Sequence, residues 1–304
     1  MARAAGVSKS LVSLAIRDGA GVSPQTRERI LEVADRLGYR SNQWAQSLVR
    51  GRSHLVGVLL TDLRNPYHTD VVVGVEDAAA EQEMEVLISH GRRDPALLAE
   101  RVRSLLRLGV DGLVVVSAHT PPEALAEAVR TTPVVVIGRP ASVPDGISQL
   151  CNDDAAGARL AVEHLVGLGH ESIVYLQNSR SVAARARGEA YEVVMRERGL
   201  APRVIGDVEE LGAASAVFAS NDRGAVAMLG ALHDSGLRVP EDVAVVGYDD
   251  TDLATIVRPQ LTSVAQPRGE MGRRAMEILA SDVVVREMLQ PELVVRESTT
   301  PGVS

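Results

Sequence analysis

Apolar and polar residues follow two different patterns along this chain, and the pattern changes near residue 54. In the first segment Val12, Ala15 and Ile16 are spaced to fall on one face of a helix, which we predict from about residue 9 to residue 17. The opposite face of this helix is polar. Such a pattern is typical of a short helix that packs on one side only.

Turn and cap residues divide this segment into three short helices. Gly6 can adopt the left-handed conformation that closes a first helix, and Ser8 can accept hydrogen bonds from the free amides of the next one. Ser23 and Pro24 are suited to the start of a third helix, which we expect to run through Leu37. Three short helices around a small apolar core predict a helix-turn-helix unit.

After residue 54, apolar runs alternate with amphipathic stretches, the pattern of parallel strands joined by helices. Strands are predicted at residues 55–60, 85–89, 112–116, 133–138, 172–177, 216–220 and 243–247. Helices are predicted at residues 69–82, 95–108, 122–130, 154–167, 183–198, 223–235 and 269–280. About 250 residues is long for a single open sheet. Because the strand series restarts near residue 150, we expect two similar lobes with a cleft between them.

Charge separates the two segments further. Residues 1–54 contain nine Arg or Lys against four acids, a net of +5, and since the whole chain sums to -8, the remainder carries -13. A helix fits the DNA major groove, and surrounding arginines neutralise phosphates. We therefore interpret the basic segment as a DNA-binding head. The competing interpretation at this point is a charged helical hairpin whose polar face is merely solvated.

Nothing in the sequence indicates an enzyme. It has no phosphate-binding loop, no complete G-x-G-x-x-G after a strand and no paired histidine spacing of a zinc site. Cys151 is the single cysteine, so a disulfide within one chain is excluded. No apolar stretch has the length of a membrane span, and the start is not a signal peptide. We expect a cytoplasmic protein with no cofactor, no metal site and no membrane partner.

A short stretch after the head completes a familiar pattern. Residues 43–50 could form a helix capped by Asn42 and ended by Gly51, although it would be too short to be stable alone in water. The segments that matter are Ala2-Arg3-Ala4-Ala5-Gly6-Val7-Ser8, Val12-Ser13, Val22-Ser23-Pro24, Leu37-Gly38-Tyr39, and then Asn42, Ala45 and Leu48. Together they closely resemble the head and hinge of the LacI/GalR family of bacterial transcription regulators.

The resemblance extends over the body of the chain. Matching runs are Asn65-Pro66-Tyr67, Val136-Ile137-Gly138-Arg139, Ser220-Asn221-Asp222, Val246-Gly247-Tyr248-Asp249-Asp250 and Pro259-Gln260-Leu261-Thr262. It implies an α/β fold: an N-terminal all-α helix-turn-helix head with a hinge helix, then a two-lobed, type I periplasmic-binding-protein-like domain of parallel sheets. The implied divisions are a head at 1–41, a hinge helix and linker at 42–53, and an effector-binding and dimerisation domain at 54–304.

The resemblance implies how the head and hinge contact DNA. Lys9, Ser10 and Leu14 would face bases in the major groove. Leu14 replaces a residue that is more often polar or basic in the family, so it either reads a thymine methyl or simply packs. Leu48 matches the apolar lever that two subunits insert into the minor groove. The expected DNA contacts are Ser8, Lys9, Ser10, Ser13, Leu14, Arg17, Asn42, Ala45 and Leu48, of which Ser8 and Ser13 would meet phosphates.

The resemblance also implies an effector site outside the carboxyl ends of the strands, where ligands bind in open parallel sheets. The expected contacts are Tyr67, His68, Arg139, Arg187, Asn221 and Asp249. A carboxylate that accepts from two hydroxyls and an arginine that donates in fork geometry suit a neutral, hydroxyl-rich ligand.

Structural roles compete with these assignments. Asp249 could instead cap a helix or form an ion pair across the lobes, and Arg187 could form a salt bridge to an acid. We expect Asp222 to cap the helix that follows it rather than contact ligand. His68 is expected to be partly exposed.

Several segments depart from the family pattern. Val208 stands where an aromatic ring often covers the ligand, so stacking is expected to be sparse. The stretch 208–216 is about a dozen residues shorter than the usual strand–helix connection, so either residues are absent or this lobe has a reduced connection. A similar shortfall is expected within 280–291. Several residues usually precede the segment that begins at Ala2, so the first helix is expected to be short at its start.

The expected function is that of a sequence-specific DNA-binding transcriptional regulator. It would act as a homodimeric repressor whose affinity for a pseudo-palindromic operator is controlled by a small polar effector, such as a sugar or related metabolite. The alternative is a periplasmic-type solute-binding protein without a DNA function. Such a receptor would need an export signal and would not need the basic head.

Overall fold

The computed structural model describes residues 1–16, 21–37, 52–140, 142–281 and 283–300. These residues form two compact units, Met1–His54 and Leu55–Ser304. Each unit has its own apolar core. The first unit is the head, and the second is the body.

The head contains one turn followed by two helices in its described part. Helix α1 spans Lys9–Ile16 and helix α2 spans Pro24–Arg36. The first of the three predicted helices is a single hydrogen-bonded turn, in which the Ala5 amide donates to the Met1 carbonyl at 2.9 Å. Gly6 ends this turn with a φ of +64°, the left-handed conformation that glycine adopts without a steric penalty.

Two serines cap these helices, which confirms the prediction from the sequence. The Oγ of Ser8 accepts a hydrogen bond from the Leu11 amide at 3.1 Å, and the Oγ of Ser23 accepts from the Thr26 amide at 3.3 Å. The side chain of Ile16, expected on the buried stripe, lies outside the described residues. The core of the head consists of Ala5, Val12, Ala15, Ile30 and Val33.

Two six-stranded sheets organise the body, which confirms the two lobes predicted from the sequence. In spatial order the first sheet contains β11 (Arg286–Leu289), β5 (Ser148–Asn152), β4 (Val134–Ile137), β3 (Gly112–Val116), β1 (Leu55–Leu60) and β2 (Glu85–His90). The second sheet contains β12 (Glu292–Val294), β10 (Thr262–Ala265), β9 (Ala244–Asp249), β8 (Ala216–Ala219), β6 (Ile173–Leu176) and β7 (Arg203–Ile205). Neighbouring strands are parallel throughout, except for the antiparallel pair β10 and β12.

Helices cover both faces of each sheet. They are α3 (Pro66–Glu81), α4 (Pro95–Arg107), α5 (Pro122–Ala128), α6 (Asp154–Gly167), α7 (Val182–Glu197), α8 (Asp222–Asp234), α9 (Asp252–Ile256) and α10 (Arg268–Leu279). Helices α3 and α10 pack on one face of the first sheet, while α4 and α5 pack on the other. Helices α6 and α7 cover one face of the second sheet, opposite α8 and α9. None of the described helices is long and apolar enough to cross a bilayer.

The sequence pattern misses five strands, β5, β7, β10, β11 and β12, and buried polar residues account for two of them. Strands β5 and β10 were not predicted, because Ser148, Asn152, Thr262 and Ser263 interrupt their apolar character. All four residues are nevertheless buried. The Oγ of Ser148, for example, accepts a hydrogen bond from the amide of Val285, more than a hundred residues away along the chain. Partners this distant leave no local signal in the sequence.

A short connection replaces a helix between β7 and β8. Residues 206–215 contain only a 3₁₀ turn at Val208–Glu210, yet they join two parallel strands. Leu211 and Ala214 are buried against the same face of the sheet as α8. In this chain the connection is therefore a short loop in which two side chains fill the core.

The chain passes between the two sheets three times: after β5, after β10, and between β11 and β12. The second passage leads into α10, which packs closely on α3. A Cβ atom built on Gly74 of α3 would lie 2.1 Å from the carbonyl oxygen of Gly269, and one on Gly272 would lie 2.3 Å from that of Val71. These two helices can approach so closely only because both positions lack a side chain.

We predict that Gly272→Ala destabilises the body by about 1–3 kcal/mol, because the added methyl must push the two helix backbones apart. Gly230→Ala in α8 is the matched control, since nothing lies within 4 Å of its added Cβ. That variant should be neutral or more stable by up to about 1 kcal/mol, because alanine favours a helix interior over glycine. Urea unfolding followed by circular dichroism measures both changes. Equal midpoints for wild type and Gly272→Ala would contradict the packing argument.

Candidate functional sites

The polar face of α1 is the candidate nucleic-acid surface of the head. Lys9 and Ser10 are exposed, and Leu14 is 40% exposed. Of the two roles left open for Leu14, the structure therefore disfavours packing into the core of the head. Ser13 is half-buried on the same helix, and Ser8 serves as its cap. The remaining expected DNA contacts, Arg17, Asn42, Ala45 and Leu48, lie outside the described residues, as does the predicted hinge helix.

A cleft of about 610 Å³ lies between the two sheets of the body. Residues that directly follow β1, β3, β4 and β8 line it, as does the last residue of β9, so it lies at the carboxyl ends of strands from both sheets. The six expected effector contacts all line this cleft: Tyr67, His68, Arg139, Arg187, Asn221 and Asp249.

Arg187 is the most constrained side chain of the cleft. It lies on α7 and is only 6% exposed. Its Nε donates to Asp154 Oδ1 at 2.8 Å and its Nη1 donates to the Ser220 carbonyl at 2.7 Å. Its guanidinium also stacks on the ring of Tyr248, 3.5 Å from the centroid. Burial disfavours the charge, but the carboxylates of Asp154 and Asp249 raise the pKa of Arg187, so it remains a cation.

Asp154 holds a second arginine from the other sheet. Arg139 follows β4, and its Nε donates to Asp154 Oδ2 at 3.2 Å while its Nη2 donates to the Asn152 carbonyl at 3.1 Å.

The contact between Arg187 and Asp154 is the salt bridge that the sequence analysis weighed against ligand contact. Arg187 lines the cleft at the same time, so the two roles are compatible.

Asp249 ends β9 in a left-handed conformation, with a φ of 104°, which is strained for a residue other than glycine. Its Oδ1 accepts from Gln266 Nε2 at 2.6 Å and lies 3.7 Å from Arg187 Nη1. Burial raises the pKa of the Asp249 carboxyl to about 7, against the opposing effect of Arg187. It does not cap a helix. Asp249 does lie beside a cation, Arg187, but this contact is within the second lobe and is not the ion pair across the lobes that the sequence analysis considered.

The Asn221 and Asp222 pair corrects one expectation. Asn221 is the cap of α8, because its Oδ1 accepts from the Gly224 amide at 2.9 Å. Asp222 instead reaches back into the core, where Oδ2 accepts from the Thr251 amide at 2.6 Å and Oδ1 accepts from Ser263 Oγ at 2.6 Å. The prediction that Asp222 caps α8 was therefore wrong. The residue one position earlier has the extended backbone that a cap requires.

His68 corrects a second expectation, because it is buried rather than partly exposed. Its Nδ1 lies 2.7 Å from the Asp62 carbonyl, and since a carbonyl only accepts, this nitrogen carries the proton. Burial lowers the pKa of His68, so the ring is neutral and Nε2 is an acceptor. Tyr67 packs against it edge to face, with ring centroids 5.8 Å apart. Both residues follow the cap Asn65 at the start of α3.

Asn152, Asp154, Asn178 and Gln266 are among the lining residues that were not selected from the sequence, and the buried Tyr248 contacts two of the cleft residues. All of them contact an expected residue or each other. Asn178 exchanges amide hydrogen bonds with Asn221 at 3.2 and 3.3 Å, and Asn152 Nδ2 donates to the Tyr248 hydroxyl at 2.6 Å. Tyr248 lies in a run that the sequence analysis quoted. The others stand in segments that lack a chemical motif.

Asn152 has an unsatisfied acceptor. The residue is buried, and its Oδ1 has no hydrogen-bond partner among the described residues. An orphan acceptor of this kind costs about 1–3 kcal/mol. A hydroxyl of a bound ligand could satisfy it.

Three family models match the chain in order. The model described as "Bacterial regulatory proteins, lacI family" matches residues 1–42. "Periplasmic binding proteins and sugar binding domain of LacI family" matches residues 53–213, and "Periplasmic binding protein-like domain" matches residues 162–299.

Similar proteins cover nearly the whole chain. The ribose operon repressor of Escherichia coli (strain K12) is 32% identical over 314 residues, which cover 96% of this chain and 93% of the repressor. A solved complex of the transcriptional regulator CelR with cellobiose is 32% identical, with a TM-score of 0.73 and 98% of each chain covered. The lac repressor dimer bound to operator and the anti-inducer ONPF is 27% identical, with a TM-score of 0.84 and 98% and 97% covered.

The fold and the cleft define a two-lobed binding protein of the periplasmic type that carries a helix-turn-helix head, which is the class of DNA-binding transcription regulators. These relatives are regulators rather than enzymes. The chain belongs to the LacI family of bacterial regulatory proteins.

The raised pKa of Asp249 predicts a pH dependence of stability. A carboxyl whose pKa is about 7 in the folded protein, against an ordinary 3.8, binds its proton more tightly when folded. The protonated carboxyl therefore makes its full contribution to the free energy of unfolding below about pH 4. This contribution is lost as the pH rises through 7. Asp249→Asn removes this titration, so the variant should lose less unfolding free energy than wild type between pH 5 and pH 8.

Urea unfolding at both pH values tests this. Asp234→Asn, the same substitution at an exposed position on α8, should leave the wild-type pH dependence unchanged. If Asp249→Asn and wild type lose equal stability over this range, Asp249 titrates at its ordinary pKa.

Proposed function

We propose that this protein is a homodimeric transcriptional repressor whose affinity for operator DNA changes when a small hydroxyl-rich effector binds in the cleft of the body. The observation that carries the proposal is the joining, in one chain, of a capped helix-turn-helix head to a cleft that gathers six polar or aromatic side chains. Because its ligand is chromosomal DNA, we expect the protein in the cytoplasm. The proposed divisions are a head at 1–41, a hinge at 42–53 and an effector domain at 54–304.

The head reads DNA through α1. Lys9, Ser10 and Leu14 lie on its solvent side and are proposed to contact base edges, with Ser8 and Ser13 near phosphates. Arg17, which lies outside the described residues, is proposed as a further DNA contact. Asn42, Ala45 and Leu48 belong to the proposed hinge helix, which forms when two copies pair on the operator and Leu48 wedges the minor groove.

The cleft supplies the chemistry for a hydroxyl-rich ligand. Asp249 and the orphan Oδ1 of Asn152 accept from ligand hydroxyls, and Arg187 and Arg139 present guanidinium donors. Neutral His68 adds an acceptor, and Tyr67 covers the apolar side of the ligand. Asn221 contributes its amide while it caps α8. Relatives named for ribose and cellobiose support a sugar or a related metabolite.

Effector control follows from where these side chains come from. Arg139 belongs to the first lobe, and Arg187 and Asp249 belong to the second, so a ligand that contacts all three favours one relative arrangement of the lobes over another. A coupling of about 1–3 kcal/mol between effector and operator is typical of such switches. A change in lobe geometry would alter how two hinge helices pair.

Replacing Lys9 tests the head. We expect Lys9→Ala to weaken binding to a fragment upstream of the protein's own gene by about 1–3 kcal/mol, or roughly 5- to 150-fold, because a base-edge contact is lost. Gel shift with excess competitor DNA at fixed salt measures the loss. Arg130→Ala removes one positive charge from an exposed position in the body and should leave affinity unchanged. Equal binding by the Lys9 variant would exclude that side chain from recognition.

Replacing Asp249 tests the cleft. We would first screen neutral sugars, including ribose and cellobiose, by thermal shift on the full chain, and then add a stabilising sugar to the gel shift. Asp249→Asn should bind operator like wild type but require at least about tenfold more sugar for the same change in affinity, since a hydrogen-bonded carboxylate is lost. Asp234→Asn is the control. An unaltered sugar response in Asp249→Asn would remove this residue from the effector site.

A further inference from the structure

A notch enriched in arginine opens beside the cleft. Its volume is about 440 Å³, and its lining residues are Asp62, Arg64, Pro66, Arg93, Arg223 and Leu253. Four of these, Asp62, Pro66, Arg93 and Arg223, also line the main cleft. The two cavities are therefore adjacent and share part of their walls.

The notch carries an excess of positive charge. Arg64 and Arg93 share one carboxylate, that of Asp62, at 3.2 and 3.5 Å. Hydrogen bonds and charge from Arg64, together with the charge of Arg93, lower the pKa of Asp62 to about 2, so it stays ionised. One carboxylate cannot neutralise two guanidinium groups. The side chain of Arg223, exposed at the start of α8, has no hydrogen bond or ion pair with the described residues.

This excess contrasts with the rest of the body. Residues 55–304 carry a net charge of -13, so a surface arginine there usually has acids nearby. The neighbouring Arg180, which also lines the cleft, is exposed and makes no side-chain hydrogen bond or ion pair within the part of the chain that the structure describes. The notch contains three guanidinium groups and one carboxylate, which makes it suited to bind an anion. Arg180 contributes a further positive charge nearby.

The arginines come from both lobes. Arg64 and Arg93 follow β1 and β2 of the first sheet, whereas Arg223 lies on α8 of the second lobe and Leu253 lies on α9. An anion held by Arg93 and Arg223 together would bridge the lobes. Guanidinium groups bind phosphate and carboxylate oxygens through paired, charge-assisted hydrogen bonds, which fits this arrangement.

We propose that the notch binds the phosphate group of a phosphorylated sugar whose hydroxylated part occupies the main cleft. This inference rests on the proposed function, because it places the effector in the same cleft and adds an anionic group to its chemistry. Arg93 and Arg223 are the specificity-determining residues, since a neutral sugar leaves both without a partner from the ligand. A phosphate that contacts both arginines then favours the arrangement of the two lobes in which both can reach it.

Inorganic phosphate is the primary probe, used with the full chain by isothermal titration calorimetry at constant ionic strength in chloride. We expect saturable binding by wild type and binding roughly tenfold weaker or worse in the double variant Arg93→Gln/Arg223→Gln, since two charge-assisted contacts are lost. Arg130→Gln, an exposed position outside both cavities, should bind like wild type. Asp62 retains Arg64 in the double variant, so its carboxylate is not left unpaired.

Matched pairs then test the ligand class: ribose against ribose 5-phosphate, and glucose against glucose 6-phosphate. We expect at least one ester to bind roughly tenfold more tightly than its parent sugar, with this advantage lost in the double variant. Gluconate, a sugar acid, tests whether the notch prefers a carboxylate to a phosphate. Binding of gluconate in preference to both phosphate esters would overturn the phosphate assignment.

The outcomes separate this inference from the proposed function. Absence of phosphate binding beyond that of chloride, or equal binding by the double variant, overturns the inference. If a neutral sugar still changes operator affinity through Asp249 in that case, the proposed function stands without the notch. If phosphate binds the notch but no phosphate ester or sugar changes operator affinity, the anion site stands and effector control of DNA binding is wrong.

Discussion

The buried ion pair between Arg187 and Asp154 is the constraint on which the body of this protein depends. A guanidinium in a protein interior costs several kcal/mol in lost hydration unless its donors are satisfied. Here a carboxylate, the Ser220 carbonyl and the face of Tyr248 satisfy it. Because Asp154 also binds Arg139 of the first lobe, the same carboxylate fixes the position of a cleft side chain from each sheet.

A cluster of buried aromatic residues packs beside Arg187 in the second lobe. Phe218 and three tyrosines, Tyr175, Tyr191 and Tyr248, form a continuous buried cluster in the second lobe, with neighbouring centroids 5.2–6.3 Å apart. The hydroxyl of Tyr175 donates to the Ala184 carbonyl at 2.6 Å, which ties the cluster to the first turn of α7, just before Arg187 in the same helix. None of these four rings lines the cleft, and one of them, Tyr248, packs against Arg187.

Polar side chains of the cleft are therefore held by contacts within the protein while they face the space between the lobes. Asn221 caps α8 and also faces the cleft, and Asp249 pairs with Gln266 in a strained backbone conformation while it lines the same space. Their positions are fixed before any ligand binds, which lowers the entropic cost of binding. The orphan acceptor of Asn152 and the surplus arginines beside Asp62 are among the groups that the described part of the protein leaves incompletely satisfied.

The sequence by itself determined the helix-turn-helix head and the alternation of strands and helices, because caps and periodicity are local. The six expected cleft residues came from the resemblance to the LacI/GalR family, and all six line the cleft. Only the tertiary structure decided that Asn221 rather than Asp222 caps α8, that His68 is buried, and that Asp154 joins two arginines. It also decided strands β5 and β10, whose buried polar residues find partners in distant segments. Burial and pairing depend on which segments meet in space, and a one-dimensional pattern does not record that.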